Sequence, residues 1–180
     1  MALKATIFKA DLQVSDLDRG YYASHALTLA RHPSETDERM MARLLAFALN
    51  AHERLGFGRG LSTEDEPDLW RHDLTGAIEQ WIDVGLPDER RLRKASGRSD
   101  EVLVYAYGAR AVELWWSQNR AALGRLPNLR AWFLQPDGMA ALTALAARTM
   151  RLACTIQDGQ VWVGSDAGET SLEPVLLGGA

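Results

Sequence analysis

At 180 residues, with 47% apolar and 24% charged side chains, the chain is long enough to bury a sizeable core in one domain and has an ordinary globular balance. No apolar run approaches the roughly 20 residues that span a bilayer; Lys9 and Asp11 interrupt the start before an apolar leader forms, and the single Cys154 excludes an internal disulfide or a cysteine-built zinc site. A net charge of -4 gives no general attraction to nucleic acid, so such binding must come from a local basic patch, and a reducing cytoplasm is the expected compartment.

In chain order, Ala5 to Val14 and Tyr21 to Leu29 read as two strands, joined by turn chemistry in Ser15-Asp16-Leu17-Asp18-Arg19-Gly20. A helix starts at Pro33-Ser34, with Ser34 as its N-cap and Asp37 three residues on. Its apolar face runs Met41, Leu44, Leu45, Ala48, Ala51, Leu55, and Gly56, Gly58 and Gly60 end it. Short strands follow near Phe57 to Leu61, Pro67 to Trp70 and Ala77 to Val84. Pro87-Asp88-Glu89 opens a second helix, with proline in its first turn and acids beside the positive end of its dipole. Then come a strand over Glu101 to Tyr107, a helix over Ala111 to Leu126, a strand over Leu129 to Leu134 and a helix over Gly138 to Ala147. Met150 to Val163 reads as a hairpin closed by Asp158-Gly159, and the Gly- and Ser-containing tail after Gly164 reads as loose. No repeat or linker interrupts this order. The expected architecture is a single α/β domain over residues 1–180, a mixed sheet flanked by helices with antiparallel strand extensions at both ends, packed on the same core.

Chemistry concentrates in Glu64-Asp65-Glu66-Pro67-Asp68, followed fifteen residues later by Asp83 in Ile82-Asp83-Val84-Gly85. Crowded carboxylates repel one another and any approaching phosphate, which suits either a solvated loop or a divalent cation. Alternation puts Ile78, Gln80, Ile82 and Val84 on one face of their strand and Glu79, Trp81 and Asp83 on the other. With the more apolar face against a helix, Asp83 points to the opposite side, at the strand's C-terminal end, and Asp68 reaches the same place from the neighbouring strand. Together they offer hard oxygen ligands to magnesium or manganese; alone, each is better read as a turn acid. Glu38 falls on the inward stripe of its helix, where a carboxylate wants a partner, a metal or the helix dipole. Arg90, Arg91, Arg93, Lys94 and Arg98 form the one dense basic cluster, a solvated face or a phosphate-binding patch, with Trp70 and Trp81 nearby as stacking surfaces.

The runs Ala30-Arg31-His32-Pro33-Ser34-Glu35-Thr36, Glu38-Arg39-Met40-Met41, Gly85-Leu86-Pro87-Asp88-Glu89-Arg90-Arg91 and Thr155-Ile156-Gln157-Asp158-Gly159 resemble the YaeQ family of small bacterial proteins. The resemblance implies a variant of the PD-(D/E)xK nuclease-like fold, its core about 33–134, and no known reaction. Glu38 matches the helix acid, Asp68 the Pro-Asp aspartate and Asp83 the last acid. Gly85 stands where the motif carries lysine. Lys94, on the helix that follows, is the candidate replacement.

Two function classes follow. In the first, a magnesium- or manganese-dependent phosphodiesterase or nuclease acts on DNA or RNA: Asp68 and Asp83 hold metal, Glu38 assists, Lys94 supplies the displaced cation, and Arg90, Arg91, Arg93 and Arg98 bind the backbone. In the second, the fold has lost its chemistry and serves as a binding module, such as a transcription-linked nucleic-acid or protein adaptor. Gly85 and the net negative charge favour the second, and the surviving acids favour the first. No membrane partner is expected.

Overall fold

The computed structural model describes residues 3–59 and 65–179. The chain divides into two compact units, Met1–Ala51 with Asp137–Glu173, and His52–Pro136 with Pro174–Ala180. Each has its own sheet.

The first unit holds β1 (Thr6–Asp16), β2 (Tyr21–Arg31), α1 (Asp37–Leu49) and, from later in the chain, α4 (Pro136–Thr143), β8 (Thr149–Gln157), β9 (Gln160–Ser165) and β10 (Gly168–Leu172). Its sheet has the order β10-β9-β8-β1-β2. The hairpin β1–β2 is antiparallel, as the turn residues predict, but β1 pairs in parallel with β8, from Lys9 opposite Thr149 to Asp16 opposite Ile156. Burial alternates along β1 and β8: Phe8, Ala10, Leu12, Val14 and Met150, Leu152, Cys154, Ile156 face the core. This period of two is what a half-buried strand requires. Asp158 and Gly159 both take positive φ in the β8–β9 turn. The tail is ordered as β10 and, in the other unit, β11 (Val175–Gly179), correcting the loose reading.

Helix α1 is capped by Thr36, whose hydroxyl accepts from the Arg39 N–H, and not by Ser34. The Ser34 hydroxyl is engaged by His32 Nδ1 at 2.7 Å. Every residue from Met40 to Ala48 is buried, so the helix has no solvated face there. Arg43, 3% exposed, is accommodated by a two-point pair with the equally buried Glu35, at 2.6 and 3.0 Å.

The second unit holds β3 (Leu55–Phe57), β4 (Leu69–His72), β5 (Ile78–Val84), α2 (Glu89–Arg98), β6 (Ser99–Ala106), α3 (Arg110–Leu123), β7 (Leu129–Phe133) and β11. The sheet order is β11-β7-β6-β5-β4-β3. Strands β5, β6 and β7 run parallel, joined by α2 and α3 as crossovers, and β3–β4–β5 and β7–β11 are antiparallel. The core between sheet and helices contains Trp81, Val102 and Val104 from the sheet, Leu92 and Ala95 from α2, and Trp115 from α3. Trp81 and Asp83 therefore share the face that α2 covers. This corrects the expectation for Gln80, Ile82 and Val84, whereas Ile78, beyond an irregularity in the β4–β5 register, does pack against this core. Gln80, Trp81, Ile82, Asp83 and Val84 are all buried, so apolar content could not tell one face from the other. Among the described residues, no helix is long and apolar enough to cross a membrane.

Candidate functional site

Leu69 on β4 lies opposite Ile82 on β5. One step along this antiparallel register brings Asp68 level with Asp83, at the C-terminal end of a parallel strand. The two acids are bound to each other's strands. Asp83 Oδ1 accepts from the Asp68 N–H at 3.4 Å, and Asp68 Oδ2 accepts from the Val84 N–H at 2.8 Å. Asp68 is 6% and Asp83 1% exposed. Buried carboxylates need donors, and Asp83 has them. Arg91 donates from Nε to Oδ2 at 2.8 Å and from Nη2 to Oδ1 at 3.0 Å, and Trp81 Nε1 donates to Oδ2 at 3.1 Å. Arg91 Nη2 also donates to the Glu66 carbonyl at 2.8 Å, and its guanidinium lies 5.6 Å from the Trp81 ring centre. The hydrogen bonds to Asp83, then its charge and those of Asp68 and Asp88, raise the Arg91 pKa against the opposing effect of burial.

This arrangement does not fit a resident divalent cation. Both oxygens of Asp83 are turned to N–H donors, one oxygen of Asp68 holds the β5 backbone, and no group of three or more His, Cys, Asp or Glu among the described residues could hold a metal. A guanidinium stands where the metal was expected.

Lys94 is elsewhere. Its Nζ pairs with Asp65 at 2.7 Å, both side chains being largely exposed. That hydrogen bond, then the ammonium's charge, lowers the Asp65 pKa. The cation beside Asp83 is Arg91, which the sequence reading had placed among the backbone-binding arginines. Glu38 lies in the first turn of α1, in the other unit, half-buried and in no ion pair among the described residues. Glu64, the first acid of the Pro-Asp run, lies outside the described residues. Asp73 organises its turn by accepting from Thr75 and Ala77, the work of a turn acid.

The remaining cations line the exposed side of α2. Arg93 pairs with Glu89 at 2.5 Å, one turn away. The Arg98 guanidinium lies 5.5 Å from the Trp81 ring centre and donates to the Asp65 carbonyl at 3.4 Å. Arg90 is exposed and makes no ion pair among the described residues. A cleft of about 330 Å³ opens there, lined by Trp81, Asp88, Arg90, Arg91, Lys94 and Ala95. Trp81 itself is 2% exposed, so it forms the floor and offers no ring face for base stacking. Sequence reasoning missed the role of Arg91, although its position four residues before the buried Ala95 and next to the buried Leu92 marks it as facing the sheet.

Comparison with known proteins finds relatives over nearly the whole chain. The family described as "YaeQ protein" matches residues 1–174. The chain is 54% identical over 168 residues to the uncharacterized protein YaeQ of Salmonella typhi, covering 93% of this chain and 92% of that one. It is 52% identical over 167 residues to its counterpart in Escherichia coli (strain K12), with 92% of each covered. The crystal structure of the YaeQ protein from Xanthomonas axonopodis pv. citri superposes with a TM-score of 0.95 at 55% identity, over 98% of this chain and 99% of that one. The Pseudomonas syringae YaeQ crystal structure gives 0.93 at 39% identity, over 98% and 97%.

Proposed function

The chain belongs to the YaeQ family, and from there we propose that it is a nucleic-acid-binding module built on a PD-(D/E)xK nuclease-like core whose metal position is filled by its own arginine. The pairing of both Asp83 oxygens by Arg91 and Trp81 carries the reading. The order of β3, β4, β5, α2 and β6, three strands, a crossover helix and a parallel strand, supports the nuclease-like assignment. Gly85 supports the loss of chemistry, because no side chain there can hold an attacking water or offset phosphate charge.

Binding falls to the exposed side of α2. Among the described residues Arg90 makes no ion pair. Arg93 and Lys94 sit in exposed pairs of the kind worth little in water, which a phosphate displaces at small cost. Against a net charge of -4, this patch is local, so affinity is modest and strongly salt-dependent. Fluorescence anisotropy with labelled single- and double-stranded oligonucleotides tests it. Affinity should fall with salt at a logarithmic slope of about -0.7 to -0.9 per phosphate contact, and Arg90→Ala with Lys94→Ala should flatten that slope. No binding at low salt, or binding indifferent to both substitutions, refutes the module.

The juxtaposition of Asp68 and Asp83 favours a second reading, the magnesium- or manganese-dependent nuclease. It requires Arg91 to leave Asp83 so that the carboxylates can turn to a cation, with Lys94 recruited to them. Manganese-dependent cleavage by the unaltered protein, abolished in Asp83→Asn, would establish this reading in place of the first.

A further inference from the structure

The five-stranded sheet ends on one side in β2, an eleven-residue strand whose strand neighbour is β1. Exposed strand edges are pairing templates, and proteins blunt them with lysine, proline, bulges or very short strands. The opposite edge follows that rule, since β10 has five residues. β2 does not. Tyr21–Arg31 contains no proline, lysine or carboxylate, and its register with β1 runs without a bulge from end to end. Outside that ladder, Ala30 accepts from Arg43 Nη2, and from Tyr22 to Leu29 no other backbone hydrogen bond is found among the described residues. The core-facing side is also incompletely covered at this edge. Phe8, Ala10, Leu12 and Val14 of β1 are at most 6% exposed, whereas Tyr21, Ala23 and Leu27 of β2 are only half-buried.

We propose that β2 pairs antiparallel with β2 of a second copy of this chain, about a twofold axis at Ala26, so that two sheets become one. The strand is self-complementary in that register. Tyr22 meets Ala30 and Ser24 meets Thr28 on the exposed side; Ala23 meets Leu29 and His25 meets Leu27 on the core side; Tyr21 meets Arg31. The strand's ionisable groups other than tyrosine are His25 and Arg31, and neither meets its own copy, so no like charges oppose. Pairing satisfies the open backbone groups and covers the half-buried apolar side chains in one step. This association is independent of the nucleic-acid reading.

Sedimentation across a concentration series should show a reversible dimer. Ala26→Lys puts two ammonium groups face to face across the axis and should shift the protein to monomer. Within each copy the new lysine stands opposite Asp11, which helps the fold survive, and circular dichroism checks that it does. Ala26→Cys should form a disulfide-linked dimer under mild oxidation, because directly opposed Cα atoms lie about 4.5–5.5 Å apart, within reach of that bond. Cys154 is 1% exposed and stays out of the reaction, and Tyr22→Cys should remain unlinked. A monomer at every concentration overturns the proposal. So does a dimer that ignores Ala26→Lys and fails to cross-link through Ala26→Cys, since it must use another surface.

Discussion

Replacing Arg91 with alanine removes the main counter-charge of Asp83, a carboxylate only 2% exposed in its side chain. Breaking a buried pair from one side costs about 3–5 kcal/mol, and the 25% exposure of Arg91 puts the expected loss at the low end. Urea unfolding should show it, and Asp83→Asn in the same background should recover part, because the stranded charge is then gone. If the two substitutions destabilise additively, Arg91 and Asp83 are not coupled. The neighbourhood of Asp68 and Asp83 was legible in the sequence through strand period and spacing. The partner of Asp83 was not, because alternation tells which residues share a face but not which face a helix covers. The backbone at Gly85 also disfavours the lysine that the proposed nuclease-like motif would carry there. Its φ is +94°, a conformation that residues with a Cβ rarely adopt, so a lysine there would be strained although there is space for it.

Helices and strands were legible as kinds and less so at their ends. Asp88 caps α2 by accepting from the Arg91 N–H at 2.8 Å, leaving Pro87 just outside the helix where a first-turn proline was expected. Asp88→Ala should cost about 0.5–2 kcal/mol in thermal or urea unfolding, because it uncaps the helix that positions Arg91. A loss no greater than for an exposed surface substitution would show that the cap is idle. The start of α1 was misplaced by two residues for a local reason: His32 captures the Ser34 hydroxyl and leaves Thr36 to cap. The C-terminal tail misled because its glycines look like slack. At Gly178 a Cβ would fall 2.8 Å from the Trp116 ring, so glycine there permits close packing of β11 on α3. Composition cannot distinguish a glycine of freedom from a glycine of contact.

Across the molecule, the family and the α/β class were legible, while the sharing of the strands between two sheets was not. Nothing in composition marks the passage between them, and the parallel pairing of β1 with β8 is a long-range choice without a local signal. Each unit holds a histidine whose pKa burial pushes down, His25 in the first and His52 in the second, where Arg71 and Arg54 lower it further. A depressed imidazole binds its proton more weakly in the folded than in the unfolded state. Stability is therefore full above the ordinary histidine value of about 6.5 and falls as pH drops below it toward the folded value. The melting temperature should fall in that acidic window, and His25→Gln with His52→Gln should flatten the fall. An unchanged acid limb in the double variant would assign it to the carboxylates.

The unit that opens the chain is closed by strands made near its end, with the other unit lying between them in sequence. On the ribosome, β1, β2 and α1 emerge well before β8 and β9, and Phe8, Ala10, Leu12 and Val14 wait for those strands while the whole of β3 to β7 is synthesised. The inserted unit lacks only β11 when its last parallel strand appears. Assembly order is therefore expected to reverse birth order, the middle of the chain setting before the segment that precedes it. Pulsed hydrogen exchange during refolding should protect the amides of β5 and β6 before those of β1. In the interval the N-terminal hairpin is an apolar half-sheet without its partner, the stage of this protein's life when a chaperone has most to hold.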